Sequence, residues 1–196
     1  VKEHFSPSLD IKGEAIILRH VLEHIPNPLH FLASIAETNA GRGIIYIEVP
    51  SLEWIRDHRA WFDIFYEHVN YFRLSDFFRM FDIIMDSGTF FGGQYLYIVA
   101  DLASLRTTPQ KDIHSFTLPV DFLDGIDHAI AAIKKQPGRK NIIWGGGSKG
   151  VIFALQMLRR GNVTPDFVID INPFKQGKFM PVTGVPVLSP EDGMSG

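Results

Sequence analysis

Cysteine is absent from this chain of 196 residues. Its absence excludes a disulfide framework and a thiolate zinc site, and it fits a reducing, cytoplasmic setting. No apolar run approaches the roughly 18 residues that suggest a membrane-spanning helix. The first residues lack the charged-then-apolar pattern of a signal segment. Positive charge is not in excess: the formal net charge is −3, whereas a general nucleic-acid binder needs a basic face to neutralise phosphates. There is no internal repeat and no low-complexity tract. Neither a nucleic-acid partner nor a membrane is expected. What the chain does have is apolar material. Hydrophobic residues make up 45% and charged residues 21%, enough to bury a core. Many of its 16 Phe residues fall within residues 61–91 and suggest an aromatic-rich wall or lid.

The patterning is α/β. "EAIILRH" (residues 14–20) reads as a short buried strand. Asn27 is a good N-cap and Pro28 a good first helical residue, so a helix is expected to about Ala40, with Gly41 as its stop. "IIYIEVP" (residues 44–50) is a second apolar strand, and strand–helix–strand at this spacing is a βαβ unit of a parallel sheet. "RLSDFFRMF" predicts a short helix capped by Ser75. Two strands around Gly92 and Gly93 predict an antiparallel pair closing the sheet. Residues 103–118 are polar and weakly periodic, as in a linker. A second α/β unit follows: a helix in "PVDFLDGIDHAIAAIKKQ", a strand at 141–144, a helix at 148–160, a strand at 166–170 and one further possible strand in "VPVLSP". The expected division is 1–102, linker 103–118, and 119–196. Both halves look like incomplete sheets, so a piece of a longer protein is expected.

Three stretches carry chemistry. "HVLEH" (His20 to His24) fits H-x-x-E-H, an inverted zinc-protease motif that needs both His on one helical face and the Glu as base. An apolar strand precedes it and Pro26 follows, so the better reading is a strand-end loop where parallel sheets place ligand-contacting residues. No metal ligand set is expected. In "FDIFYEHVNYFRL", Glu67 and His68 sit among aromatic residues. A His tuned in that way suits general-base work, but a partly buried structural His explains the stretch as well, and the residues alone favour that. "GGGSKG" places Gly145, Gly147 and Gly150 as G-x-G-x-x-G between a strand and a helix, with Ser148 and Lys149 in the turn. Asp170 ends the next strand, where a ribose-binding acid sits in dinucleotide folds. Exposed helix N-terminal amides there suit a phosphate, although such turns also serve packing alone. Lys175 and Lys178 follow in a loop at the strand ends and suit a phosphate or plain solvation equally.

Together these stretches resemble the S-adenosylmethionine-dependent C-methyltransferases that modify nucleotide-linked deoxysugars. "LRHVLEHIPNPLHFL" looks like the segment after the fourth strand of class I methyltransferases, and "IIYIEVPSLEW" like the fifth strand and its loop. "FDIFYEHVNYFRLSDF" is similar to the family's aromatic-Glu-His stretch. "NIIWGGGSKG" with "DFVIDINPFKQGKFMPVTGVPVLSP" resembles its extra Rossmann-like C-terminal domain. The resemblance implies a partial class I methyltransferase Rossmann-like sheet ending in an antiparallel hairpin, then a second Rossmann-like α/β domain. It implies S-adenosylmethionine as cofactor of the full-length protein and a small-molecule substrate as its partner. The cofactor's glycine loop, its ribose-binding acid and a small zinc-binding domain would then precede Val1, so this piece alone is expected to be inactive. The reaction implied is proton abstraction beside a keto group, then attack of the carbanion on the sulfonium methyl. By resemblance His68 is the base, with Glu67, His24 and Tyr66 beside it in the site. The family often has Tyr two places before the Glu, where this chain has Phe65. After Gly92-Gly93 it often continues Ser-Leu-Arg, where this chain has Gln94-Tyr95-Leu96. The second departure implies a different substrate, one that need not be a deoxysugar. Two rivals remain: a nicotinamide-dependent oxidoreductase or sensor using Gly145–Gly150 and Asp170, and a non-catalytic nucleotide-sugar-binding module.

Overall fold

The computed structural model describes residues 12–195. Residues 1–11 and the terminal Gly196 lie outside the described residues. The chain divides into two compact units, each described here by itself. The first comprises the residues up to His58 together with His68–Thr117; the second comprises Arg59–Glu67 and the residues from Leu118.

In the first unit, β1 (Ala15–Arg19), α1 (Pro28–Thr38) and β2 (Ile44–Pro50) form the βαβ unit, with β1 and β2 parallel in register from Ala15 opposite Ile44 to Arg19 opposite Glu48. The Asn27 side chain accepts from the His30 backbone N–H at 3.2 Å, the expected cap. The helix stops earlier than expected. Asn39 is the C-cap, and Ala40, not Gly41, is the first residue in the left-handed region, at φ 54°. Ala40 N–H donates to Glu37 O and Gly41 N–H to Ala36 O, the paired bonds of a Schellman end that satisfy otherwise orphaned carbonyls.

A short helix α2 (Leu52–Asp57) follows β2, and α3 (Leu74–Met80) precedes the hairpin of β3 (Ile84–Phe90) and β4 (Tyr95–Asp101). The strand order is β1-β2-β4-β3, with both β2–β4 and β4–β3 antiparallel. The cap of α3 is Arg73, not Ser75: the Asp76 carboxylate reaches back to the Arg73 backbone N–H at 2.9 Å, and Ser75 lies inside the first turn. One face of the sheet carries the core, in which Leu18, Ile45, Ile47, Leu96 and Ile98 meet Leu32 and Ile35 of α1 and Phe77 of α3. β1 was expected to be buried. At one end of the sheet, it buries only Leu18, and Ile17 on the opposite face is 66% exposed.

The stretch expected to be a linker is strapped to α3. Arg106 N–H donates to Met80 O at 2.8 Å, Gln110 N–H to Arg79 O at 3.0 Å, and Asp112 pairs with the Arg73 guanidinium.

The second unit holds α4 (Asp124–Lys134), β5 (Ile142–Trp144), α5 (Ser148–Gly161), β6 (Phe167–Ile169), β7 (Val187–Leu188) and α6 (Pro190–Met194). Its three strands are parallel in the order β5-β6-β7. Val151, Val168, Met180, Val185 and Val187 are its buried cluster. Arg59–Glu67 belongs to this unit through the Arg59–Asp121 ion pair at 3.0 Å and the Trp61 ring stacked on Phe153 at 5.7 Å.

The turn between β5 and α5 depends on Gly150. A Cβ at that position would lie 1.9 Å from the Gly145 carbonyl oxygen, so only glycine lets the helix start against the strand end. Gly150→Ala is expected to destabilise the second unit by about 2–4 kcal/mol through this backbone clash. Gly147→Ala, whose Cβ meets nothing within 4 Å, should change stability by less than about 1 kcal/mol. Urea unfolding of the two variants checks this, and equal losses would remove the close approach as the reason for the glycine.

Candidate active site

At the end of β1 the chain turns sharply. His20 takes φ 52°, uncommon for a residue with a Cβ, and its N–H closes the strand ladder on Glu48 O at 3.0 Å. A single 3₁₀ turn, Leu22–His24, follows, with Leu22 fully buried. No α-helix runs through H-x-x-E-H, so the two His do not share a helical face, and the zinc-protease geometry is absent.

His20 and His24 instead serve different neighbours. His20 Nε2 lies 3.0 Å from Glu48 Oε1 and its Nδ1 3.4 Å from Glu23 Oε1. The ring also packs edge-on against Tyr95 at 4.8 Å. Glu48 is buried on β2 and tightly held: Arg19 donates to it from Nε and Nη2 at 2.9 and 3.1 Å, and Tyr46 Oη donates at 3.0 Å. The Arg19 hydrogen bonds hold its carboxyl below the usual carboxylate range.

Glu23 is the opposite case. It is only 1% exposed, and neither carboxylate oxygen accepts a hydrogen bond among the described residues. Burial pushes its carboxyl up from the ordinary value, against smaller opposing pulls that include His24 and His20.

A second segment is laid across this turn. The Glu23 backbone carbonyl accepts from the N–H groups of Val69 and Asn70 at 2.9 and 3.1 Å, and Asn70 Nδ2 donates to Ile25 O at 2.6 Å. These bonds fix His68 beside His24, ring centroids 4.9 Å apart and edge to face, with Tyr71 6.1 Å beyond. Glu23, His24 and His68 thus converge: their ligand-capable atoms all lie within 4.8 Å of one another. No metal set was expected from the sequence. The grouping was missed because its members come from segments distant in the chain, and the Glu23 burial and the Asn70 bonds have no one-dimensional signal.

The remaining candidates lie in the second unit. Tyr66 is 71% exposed, and the adjacent Glu67 charge raises its phenol pKa. Glu67 accepts a hydrogen bond from Ser148 Oγ at 2.5 Å, so Ser148 is turned to a carboxylate at the first residue of α5. Lys149 pairs with Asp63 at 2.6 Å and stands over the Phe62 ring at 4.8 Å.

The glycine turn closes on itself. Gly145 N–H donates to Ile169 O at 2.7 Å, and Gly146 N–H donates to Asp170 Oδ2 at 2.8 Å. Asp170, 8% exposed, also accepts from Asn172 N–H at 2.8 Å. Lys175 Nζ donates to Gly146 O at 3.0 Å and lies 3.4 Å from Asp170. The Asn172 bond, then the Gly146 bond, keeps the Asp170 carboxyl low against the cost of burial. The expected ribose-binding acid therefore holds its own turn together. Gly147 caps α5 with no side-chain help. Beside the turn a cleft of about 290 Å3 is lined by Gly146, Gly147, Ser148, Lys175 and Lys178 with Phe174 and Phe179.

Residues 7–82 match the family model described as a methyltransferase domain. No curated protein matches the chain. The match supports a methyltransferase, and it spans β1, β2 and the whole of the His20–His24 and Glu67–Asn70 stretches. The matched segment ends ahead of the hairpin, so the second unit stands outside it apart from Arg59–Glu67. No described helix is long and apolar enough to cross a membrane.

Because Glu48 titrates below an unfolded carboxylate, the folded chain binds fewer protons there than the unfolded chain. Its stabilisation is present above the unfolded value of about 4.3 and is lost as pH falls through the lower folded value. Arg19 is largely solvated, which limits the pair to about 1 kcal/mol. Glu48→Gln should cost about that much at neutral pH and should lose less stability than the parent on acidification. Parallel urea titrations check this; identical pH slopes would remove Glu48 as a contributor.

Proposed function

We propose that the chain is part of an S-adenosylmethionine-dependent C-methyltransferase whose acceptor is a small keto compound, of which a nucleotide-linked keto sugar is the model substrate. His68 takes the proton from the carbon beside the keto group, and His24 borders the same spot. The observation that carries this reading is the packing of His68 on His24 at the end of β1, inside the segment matched to a methyltransferase domain. Two distant segments are pinned together by backbone bonds to Glu23 and by Asn70, and such preorganisation is what a base needs to meet a carbon acid.

S-Adenosylmethionine, when bound, supplies an electrophilic methyl group. The late glycine turn does not fit the part of its cradle. Asp170 and Lys175 are taken by the turn itself, and the Ser148 hydroxyl by Glu67. No step is therefore routed through Gly145–Gly150. What the described residues do is hold an imidazole at a strand end beside His24 and Tyr71 and over the buried Glu23, so that the removed proton has a placed base. The same occupancy of Asp170 weighs against the nicotinamide reading, which needs that carboxylate for a ribose.

Proton abstraction can be read without the cofactor. In D2O the protein should exchange the hydrogen beside the carbonyl of a dTDP-linked keto sugar for deuterium, followed by mass spectrometry. His68→Ala should slow that exchange by about a hundredfold or more. Exchange at the parent rate in this variant would sink the assignment of the base.

A further inference from the structure

We infer that Glu23, His24 and His68 form a binding site for a borderline divalent d-block cation such as Zn2+ or Co2+. The inference goes beyond the proposed reaction and stands on its own observations. The donor set is one carboxylate and two imidazoles, with ligand atoms already within 4.8 Å of one another. In a tetrahedral site with bonds near 2.1 Å the donors stand about 3.4 Å apart, a closure that side-chain rotation supplies, and His24 is exposed and able to make it.

The second observation is the state of Glu23. Its side chain is 1% exposed and neither oxygen accepts a hydrogen bond among the described residues. A buried carboxylate approached by His20 Nδ1 only to 3.4 Å, outside hydrogen-bond geometry, is poorly satisfied, and a cation between it and two imidazoles removes that cost. The surroundings fit. His20 bridges from Glu48 to within 3.4 Å of Glu23, the kind of outer partner that orients a ligating carboxylate. Val69 and Asn70 N–H groups fix the Glu23 backbone, so the two ligand-bearing segments are preset. Two imidazoles favour Zn2+ or Co2+ over Mg2+ and Ca2+, which prefer oxygen donors. Three protein ligands leave at least one coordination position for water or a substrate oxygen. An imidazole nitrogen bound to the ion has no lone pair for a proton, so the ion and the base role compete for His68.

The test is Co2+ binding to the tag-free 196-residue chain at neutral pH, by visible absorption and calorimetry. One Co2+ per chain is expected, displaced by Zn2+. Glu23→Gln, His24→Ala and His68→Ala should each weaken binding by about tenfold or more, while His58→Ala and His114→Ala should not. Near-UV circular dichroism verifies that the variants fold. A readout needing no variant is diethylpyrocarbonate labelling, in which Co2+ should protect His24 and His68 in the unaltered chain. No saturable binding, equal affinity in the three ligand variants, or no protection would each overturn the site. Those outcomes leave deuterium exchange by the metal-free protein untouched. Conversely, binding with unslowed exchange keeps the metal site and removes His68 as the base.

Discussion

A carboxylate sealed into an apolar interior must be protonated or be met by positive charge, because water's contribution to its solvation is gone. Glu23 imposes that constraint on the end of β1. Leu22 buries the start of the turn, and the backbone of Glu23 is held by the Val69 and Asn70 N–H groups, which keeps this segment beside His68. The imidazoles around it are the side chains placed to answer, since an imidazole can donate a hydrogen bond to a carboxylate or share a cation with it. His20 is shared between Glu23 and the firmly ionised Glu48, and the strained φ of His20 is what turns its ring between the two.

The same junction explains why the sheet has the shape it has. β2 is flanked by β1 on one side and β4 on the other, so its far end delivers Glu48 toward one neighbour and Ser51 toward the other. Ser51 N–H bonds to Gln94 O, and Leu52 N–H to Phe72 O. The hairpin turn, the segment after His68 and the strand-end loop therefore meet through backbone bonds rather than through long flexible side chains. Tyr95, standing where the resembled family continues with other residues, contributes the ring against His20. This is a physical route by which a change in the hairpin turn can alter what the site accepts.

Much of the fold was legible in the sequence because it is local. Asn27-Pro28 marks a helix start by chemistry that acts over three residues, and the alternation through residues 95–101 is the imprint of a sheet with one buried face. The misplaced details share a cause. Ser75 is a good cap by type, but Asp76 had a backbone N–H within reach at Arg73, and that guanidinium found Asp112 from a segment read as linker. Gly41 looks like a stop, but the Schellman bonds close one residue earlier on Ala40. β1 was read as buried from its composition; among the described residues it buries Leu18 and leaves Ile17 exposed. At the site, the resemblance placed His24 and His68 together without saying how they meet. Their contact, and the buried Glu23 beneath it, are products of pairing between remote segments.

The glycine turn poses the converse question. Its spacing is that of a phosphate cradle, and the strand and helix around it are as a dinucleotide fold requires. Yet part of that cradle is already engaged. Here Asp170 takes the Gly146 amide, Lys175 takes the Gly146 carbonyl, and Glu67 draws the Ser148 hydroxyl. Each bond lowers the free energy of the closed turn and would have to be given up before a ligand could use the same group. Glycine at Gly150 is then explained by the 1.9 Å approach to Gly145 alone. A motif of glycines records how closely backbones approach, and that is the same for a turn that binds phosphate and a turn that only packs. The His24–His68 junction has the opposite character: a buried acid with no well-formed hydrogen bond among the described residues, beside two imidazole rings, is poor packing on its own, which is why the chemistry is proposed there.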